Sequence, residues 1–230
     1  MVNEKVIAII QARISSSRLP AKAMLDINGK TVLTRVIDRI KKVKIIDETW
    51  IATSDTSSDN IIEASISKKD VKIFRGSLHN VFQRFIDLVK IANPTYIVRV
   101  TGDNPLTEPT FIYQAIKEIK EKNADYVSLD QIPYGSGIEV FRASSFLSIQ
   151  EEELDEYDKE HVTAFLYKNP KKFKILQILP EEYLQRPDIR LTLDTLEDYI
   201  FLYNVIQKME EDSIPLILEN VLSYIDKLHS

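Results

Sequence analysis

The stretch V-I-A-I-I-Q-A-R-I-S-S-S-R-L-P-A-K, residues 6–22, sets the frame for the rest of the chain. Its first part, Val6 to Ile10, is an unbroken apolar run of strand length. Such a run reads as a strand buried on both faces, as in a parallel sheet. Its second part, Gln11 to Lys22, carries Arg13, Arg18 and Lys22 and no acidic residue. Ser15 to Ser17 lie between the two arginines. Short side chains let a backbone approach an anion, so that N–H groups and hydroxyls can donate to phosphate oxygens. Arginine adds bidentate donors and lysine a movable point charge. A solvated basic loop is the plain alternative. The position just after a buried strand favours a polyanion site, because ligands of open α/β sheets sit at the carboxyl ends of the strands.

Outward from this stretch the chain alternates strand and helix. Residues 23–27 read as a short extended piece before the Asn28-Gly29 turn. Thr31 begins a helix with Val32, Leu33, Val36, Ile37 and Ile40 on one face. Strands follow at Thr49–Thr53, Val71–Phe74 and Tyr96–Val100. Helices fall between them at Ser58–Lys68 and His79–Ala92. This alternation implies an α/β fold with a mostly parallel sheet flanked by helices. The strand ends then bring Gln11–Lys22, Ser54–Asp55, Arg75 and Asp103 to one edge. The second half is less regular. Helices are expected at Glu108–Lys122, Ser144–Glu152, Lys159–Lys168, Thr195–Met209 and Pro215–Leu228. Strands are expected at Asp125–Leu129, Ile138–Phe141, Phe173–Leu179 and Ile189–Leu193.

Composition narrows the function classes. The 230 residues are 44% hydrophobic and 28% charged, which leaves ample material for a core. The net charge of -5 argues against nucleic acid as the main partner. There are no cysteines, so disulfides, thiolate metal sites and a cysteine nucleophile are excluded. No signal pattern opens the chain, and no apolar run approaches about 18 residues, so no membrane span is expected. A cytoplasmic protein is the expectation.

Asp103 and Asp194 each follow a predicted strand, where a carboxylate can hold Mg2+ together with water and substrate phosphates. Either could instead serve a turn or a helix start. Glu139 lies on a short apolar strand after a Gly-Ser-Gly turn and points either to solvent or into a site. His161, beside Glu160, reads as a helix-surface pair, His79 as a cap-region residue, and His229 as a disordered terminal residue. Neither the P-loop, the dinucleotide fingerprint nor the G-x-S-x-G elbow is present.

Taken together, these residues resemble a known family, the SpsF-type cytidylyltransferases, relatives of the CMP-Kdo and CMP-sialic acid synthetases. The matching segments are Q-A-R-I-S-S-S-R-L-P-A-K at 11–22, A-T-S-D at 52–55, F-R-G-S at 74–77 and R-V-T-G-D-N-P-L at 99–106. Further on come G-I-E-V-F at 137–141, E-H-V-T at 160–163 and R-L-T-L-D-T-L-E-D at 190–198. They stand in family order, and the resemblance ends at about Met209. It implies a nucleotide-diphospho-sugar-transferase-like, GT-A-type fold in a single domain. The nucleotide half would run to about residue 107 and the acceptor half would follow.

The resemblance also implies CTP as donor, Mg2+ as cofactor and a small-molecule acceptor. Gln11, Ala12, Arg13, Ser17, Arg18 and Lys22 would hold the nucleotide, chiefly its triphosphate. Thr53, Ser54 and Arg75 would lie near the base and ribose. Asp103 and Asp194 would bind the metal, and Glu139 would face the acceptor, with Arg142 and His161 as further acceptor-side candidates. Arg13, Lys22, Asp103 and Asp194 would carry the catalysis. Family members usually have glycine at the positions of Ser15 and Ala21, so the phosphate loop departs from the pattern there.

The implied reaction is transfer of CMP to a sugar acid or a phosphorylated small molecule, in surface polysaccharide or glycoconjugate biosynthesis. A GT-A glycosyltransferase using a nucleotide sugar, and a non-catalytic nucleotide-binding protein, are the alternatives. Relatives are often dimers, and Ile132, Tyr134, Phe141 and Phe146 could supply either an apolar contact between copies or core.

Overall fold

The computed structural model describes residues 4–228, and in the first half of the chain strands and helices follow one another in the order the periodicity predicts. His229 lies outside the described residues. The first half runs β1 (Val6–Gln11), β2 (Asp26–Ile27), β3 (Lys30–Thr31), α1 (Val32–Ile40), β4 (Glu48–Ser54), α2 (Asn60–Ile66), β5 (Lys72–Gly76), α3 (Val81–Ala92) and β6 (Tyr96–Thr101). The second half runs α4 (Thr110–Glu121), β7 (Tyr126–Leu129), β8 (Glu139–Arg142), α5 (Ala143–Leu147), α6 (Glu156–Glu160), α7 (Ala164–Lys168), β9 (Ile175–Ile178), α8 (Leu196–Glu211) and α9 (Leu218–Leu228).

The main sheet has seven strands in the order β5-β4-β1-β6-β8-β7-β9. Strand β1 pairs in parallel with β4 and β6, and its Gln11 stands level with Ala52 on one side and Thr101 on the other. The carboxyl ends of β1, β4, β5 and β6 therefore share one edge. Strand β8 runs antiparallel to both β6 and β7, which makes the sheet mixed.

Successive β1 residues feed opposite faces, as strand geometry requires. Ala8 and Ile10 join Leu33, Val36, Ile112, Leu202 and Val205 in one core, while Ile7 and Ile9 join Phe82, Phe85, Phe146 and Leu166 in the other. Val6 to Ile10 are all buried, which is why this strand reads as a continuous apolar run. Thr31 caps α1 by accepting from Thr34 N, and Thr195 caps α8 through a reciprocal box with Asp198.

Four expectations change. Residues 189–193 are not a strand, although they form an isolated bridge between Arg190 and Tyr134. Their donors go to loops instead: Leu191 N to Tyr134 O at 2.7 Å and Leu193 N to Asp103 O at 3.0 Å. The helix expected over 144–152 stops at Leu147, and a 3-10 turn at Glu151–Glu153 follows with its own cap at Gln150. The helix expected over 159–168 is two helices, because α6 closes at His161 (φ -101°, ψ 72°) before α7 begins. Lys22–Met24 is a 3-10 turn, and Asp26–Ile27 pairs with Lys30–Thr31 across Asn28-Gly29, both at positive φ.

Candidate active site

The loop after β1 is closed by its own backbone. Ala12 N extends the ladder to Ala52 O at 3.1 Å, and Ser16 N and Ala21 N both donate to Ile14 O, at 2.9 and 3.0 Å. Ile14 N donates to Asp59 Oδ1 at 2.9 Å, which ties the loop to the turn after β4. Ala21 takes the left-handed conformation (φ 56°, ψ 23°), whereas Ser15 does not have positive φ. Of the two positions that depart from glycine, only Ala21 carries backbone strain. Gly102 seals the loop from the β6 side. A Cβ there would lie 2.9 Å from Ala12 Cβ and 3.0 Å from Gln11 O.

Lys22 is the meeting point of the two predicted aspartates. Its Nζ lies 2.5 Å from Asp103 Oδ2 and 2.6 Å from Asp194 Oδ1. The Leu193 N to Asp103 O bond brings the two carboxylates together across 91 positions of chain (194 minus 103). Gly135, at φ +99°, lets this segment close, since a Cβ would lie 2.5 Å from Thr192 N. Asp194 also receives Arg18 at 3.1 Å and Arg190 at 2.9 Å. Burial works against charge on Lys22, yet Asp103 and Asp194 outweigh it and hold the ammonium above the ordinary lysine range. Burial likewise opposes charge on Asp194, and Lys22, Arg190 and Arg18 outweigh it and hold the carboxyl below its usual value. Two carboxylates converging on one cation form a hard oxygen set. That set suits Mg2+, which keeps water and substrate phosphates as its other ligands.

Two adjoining clefts open at this cluster. One, of about 270 Å³, is lined by Gln11, Ala12, Arg13, Ser17 and Arg18 and reaches Gly102. The other, of about 730 Å³, runs past Asp130, Tyr134, Glu139 and Tyr167. Arg18, Lys22, Arg99, Thr101, Asp103 and His161 border both. The break between α6 and α7 thus places His161 at the junction, where its ring stacks on Tyr157 at 4.1 Å between centroids.

Glu139 lies on the floor of the larger cleft. Its Oε2 accepts from Arg99, and its Oε1 accepts from the Tyr126 hydroxyl and, at 2.8 Å, from Thr163 Oγ1. Burial disfavours its charge, but Arg99 and the two hydroxyls outweigh this and hold the carboxyl below its ordinary value.

Other predicted site residues lie elsewhere or are engaged in the fold. Arg142 is a correction. Glu139 pairs with Arg99 but Arg142 pairs with Tyr96, so the antiparallel direction of β8 puts Arg142 about 10 Å away, at the far end of the strand. Its guanidinium donates to Asn123 Oδ1 at 2.9 Å and packs on the Tyr96 ring. Thr53 and Ser54 are fully buried, and their hydroxyls donate to Asp59 at 2.8 and 2.6 Å. Arg75 donates to Ser54 O, Thr56 O, Asn60 and Glu63. These three residues stand at the predicted edge but outside both clefts.

A family model described as cytidylyltransferase matches residues 7–227. The chain belongs to this family. The match continues past Met209, where the motif resemblance stops. The chain is 32% identical over 211 residues to the spore coat polysaccharide biosynthesis protein SpsF of Bacillus subtilis, covering 90% of this chain and 88% of that one. A cytidylyltransferase from Leptospira borgpetersenii superposes with a TM-score of 0.87 at 28% identity, covering 99% of this chain and 94% of that one. CMP:2-keto-3-deoxy-manno-octonic acid synthetase, solved with CTP, superposes with a TM-score of 0.64 at 17% identity over 89% of this chain and 99% of that one. This last likeness bears on the fold alone. Family membership makes the protein a CTP-dependent nucleotidyltransferase.

Sequence reasoning did not pick out three side chains of this cytidylyltransferase's site region. Asp59 accepts from Ile14 N, Thr53 Oγ1, Ser54 N and Ser54 Oγ, so it fixes the loop rather than starting α2. Its place six residues after Thr53 carried no signal beyond that of a helix-starting aspartate. Arg190 clamps Asp194 and Asp198. Arg99 was quoted within its motif, and its charge inside an apolar strand was the available signal.

Proposed function

We propose that this cytidylyltransferase transfers CMP from CTP to a sugar acid or a phosphorylated small molecule, releasing pyrophosphate, in the making of a surface polysaccharide or glycoconjugate. The observation that carries this reading is the Lys22–Asp103–Asp194 cluster at the junction of a small basic cleft and a larger polar one. The relative named for spore coat polysaccharide biosynthesis supports the biosynthetic setting.

In this mechanism the triphosphate occupies the smaller cleft against Arg13, Ser17, Arg18 and Lys22. The acceptor occupies the larger cleft beside Glu139. An acceptor oxygen bonds to the α-phosphorus while the bond from that phosphorus to the oxygen bridging to the β-phosphate breaks. The electron pair leaves with pyrophosphate, and the acceptor proton goes to solvent. Mg2+, held by Asp103 and Asp194, would supply charge neutralisation at the phosphate oxygens. Lys22 and Arg18, which pair with these carboxylates, also line the cleft that would take the triphosphate. Catalysis by such a site is positioning and electrostatic stabilisation, which needs no protein nucleophile.

The test is thermal stability with CTP, UTP, GTP, ATP and UDP-sugars, with and without Mg2+, followed by pyrophosphate release from CTP across a panel of sugar acids and phosphate esters. Ligands that bind only the folded state raise its stability by mass action. A CTP-selective, Mg2+-dependent shift with turnover on one acceptor class is expected. A shift with a nucleotide sugar alone would move the assignment to glycosyl transfer.

A further inference from the structure

Arg99 is a third cation at the junction of the two clefts, on the last turn of pleat before the Thr101-Gly102-Asp103 strand end. Alternation along β6 sends Val98 and Val100 into the core, while Arg99 and Thr101 border both clefts. Arg18 and Lys22 reach the same junction from a loop and pair with the metal-binding carboxylates. Arg99 differs in both respects. It stands on a central strand, and its ion-pair partner is Glu139, which is outside the Asp103–Asp194 cluster.

The guanidinium is aimed by a supporting shell. Nη1 donates to Glu139, and Glu139 is fixed in turn by Tyr126 on β7 and Thr163 before α7. Nη2 makes a longer bond, 3.3 Å, to Gln11 Oε1 at the start of the basic loop. Nε is buried without a partner. The protein thus takes up only part of the guanidinium's donor capacity, although buried donors are nearly always satisfied. A ligand oxygen arriving between Gln11 and Glu139 would meet a rigid, charged donor already in place. Donors of this kind act most strongly where charge builds in the transition state.

We propose that Arg99 is a catalytic residue, donating to a non-bridging oxygen of the α-phosphate as the acceptor oxygen bonds to phosphorus and pyrophosphate leaves, and that Glu139 is the positioning residue that aims it. The inference rests on the CMP-transfer reading. Arg99 keeps its protons throughout and stabilises charge on the oxygen it contacts.

The experiment compares Arg99→Ala, Glu139→Gln and the double variant Arg99→Met/Glu139→Gln with wild type. Readouts are thermal midpoint, CTP affinity, and kcat and KM for pyrophosphate release. The double variant guards against misfolding, because it leaves no unpaired buried carboxylate. A fall in kcat of about 10²–10³-fold in Arg99→Ala and the double variant is expected, with CTP affinity within about threefold of wild type. Added guanidinium should restore part of the kcat of Arg99→Ala, which a packing role would not allow. Glu139→Gln should lower kcat by about tenfold without rescue. A folded double variant that turns over within about threefold of wild type overturns the proposal. A loss confined to acceptor KM also overturns it and makes Arg99 an acceptor-binding group. Wild type that binds CTP but releases no pyrophosphate with any acceptor overturns the CMP-transfer reading itself, before any variant is compared.

Discussion

The loop that follows β1 and the turn that follows β4 lie side by side at one sheet edge and direct their charges differently. In the loop, Arg13 pairs with Glu160, and Lys22 with Asp103 and Asp194. These partners stand up to 172 positions away, and the cations line the clefts. At the turn, Arg75 from neighbouring β5 bonds Ser54 O, Thr56 O, Asn60 and Glu63, none more than 21 positions away, and Asp59 takes up the hydroxyls of Thr53 and Ser54. The first region spends its charge on distant elements that a ligand can replace. The second spends it on holding its own backbone. A cation at a strand end is therefore a site candidate when its partners come from elsewhere in the fold.

The largest effect should follow from removing Lys22. Lys22→Met takes away the ammonium that the two carboxylates share, and with it the movable charge for the triphosphate. Pyrophosphate release should fall by about 10²–10³-fold, with CTP binding weakened as well. Near-normal turnover in a folded Lys22→Met protein would break the comparison, because the loop would then be as structural as the turn.

Asp59 joins the two regions, and its replacement should be felt in stability. Asp59→Asn faces four donors with only one acceptor atom, at a cost of about 2–3 kcal/mol near neutral pH. Burial raises the carboxyl's proton affinity, but the bonds from Ser54, Ile14 and Thr53 outweigh this and leave it below the ordinary value. The unfolded carboxyl titrates near its usual value of about 3.9. Its contribution is therefore complete above that pH and is lost as pH falls through the depressed folded value. Denaturant midpoints from neutral pH down to about pH 2 check this. Wild type should lose stability more steeply than Asp59→Asn below about pH 4, and equal slopes would remove Asp59 from the account.

What could be read from the sequence divides along the same line. The apolar run of β1 reads clearly because both of its faces are covered, whereas β5, at the sheet edge, is only half-buried, and the parallel ends follow from the alternation. Arg142 stands beside the G-I-E-V-F motif, and that neighbourhood carries no information on strand direction. The antiparallel turn of β8 puts Glu139, not Arg142, at the cleft. Ile189 to Leu193 alternates like a strand, but its donors serve Tyr134 and Asp103, and no local pattern announces partners so remote. The same bonds bring Asp194 to Lys22. The motifs named both residues, but the meeting itself could be read only from the fold.

Arg75 sharpens the comparison at a smaller scale. Arg75→Met removes bonds that pin the turn, so stability should fall by about 1 kcal/mol. CTP affinity should stay within about threefold of wild type, since the guanidinium borders neither cleft. A loss of CTP affinity beyond about tenfold, measured by titration, would mean that Arg75 leaves the turn for the nucleotide, and the two regions would be one site.

Ala21 carries the smallest expected effect, and it separates strain from function within the loop. An alanine at φ 56° costs about 1–2 kcal/mol relative to a right-handed conformation. Glycine removes that cost but gives the unfolded chain more freedom, worth about 0.5–1 kcal/mol in the opposite direction. Ala21→Gly should therefore stabilise the protein by about 0.5–1 kcal/mol, a rise in Tm of about 1–4 °C for a chain of this size. Lys22 is the next residue, so the strained position sets where its side chain departs. The bonds from Ala21 N to Ile14 O and from Met24 N to Ala21 O, at 3.0 and 2.8 Å, hold that point whichever residue stands there. Turnover of Ala21→Gly should then remain within about twofold of wild type. A stabilised but markedly slower variant would show that the loop's precision depends on the alanine, and that this chain departs from glycine there to hold Lys22 still.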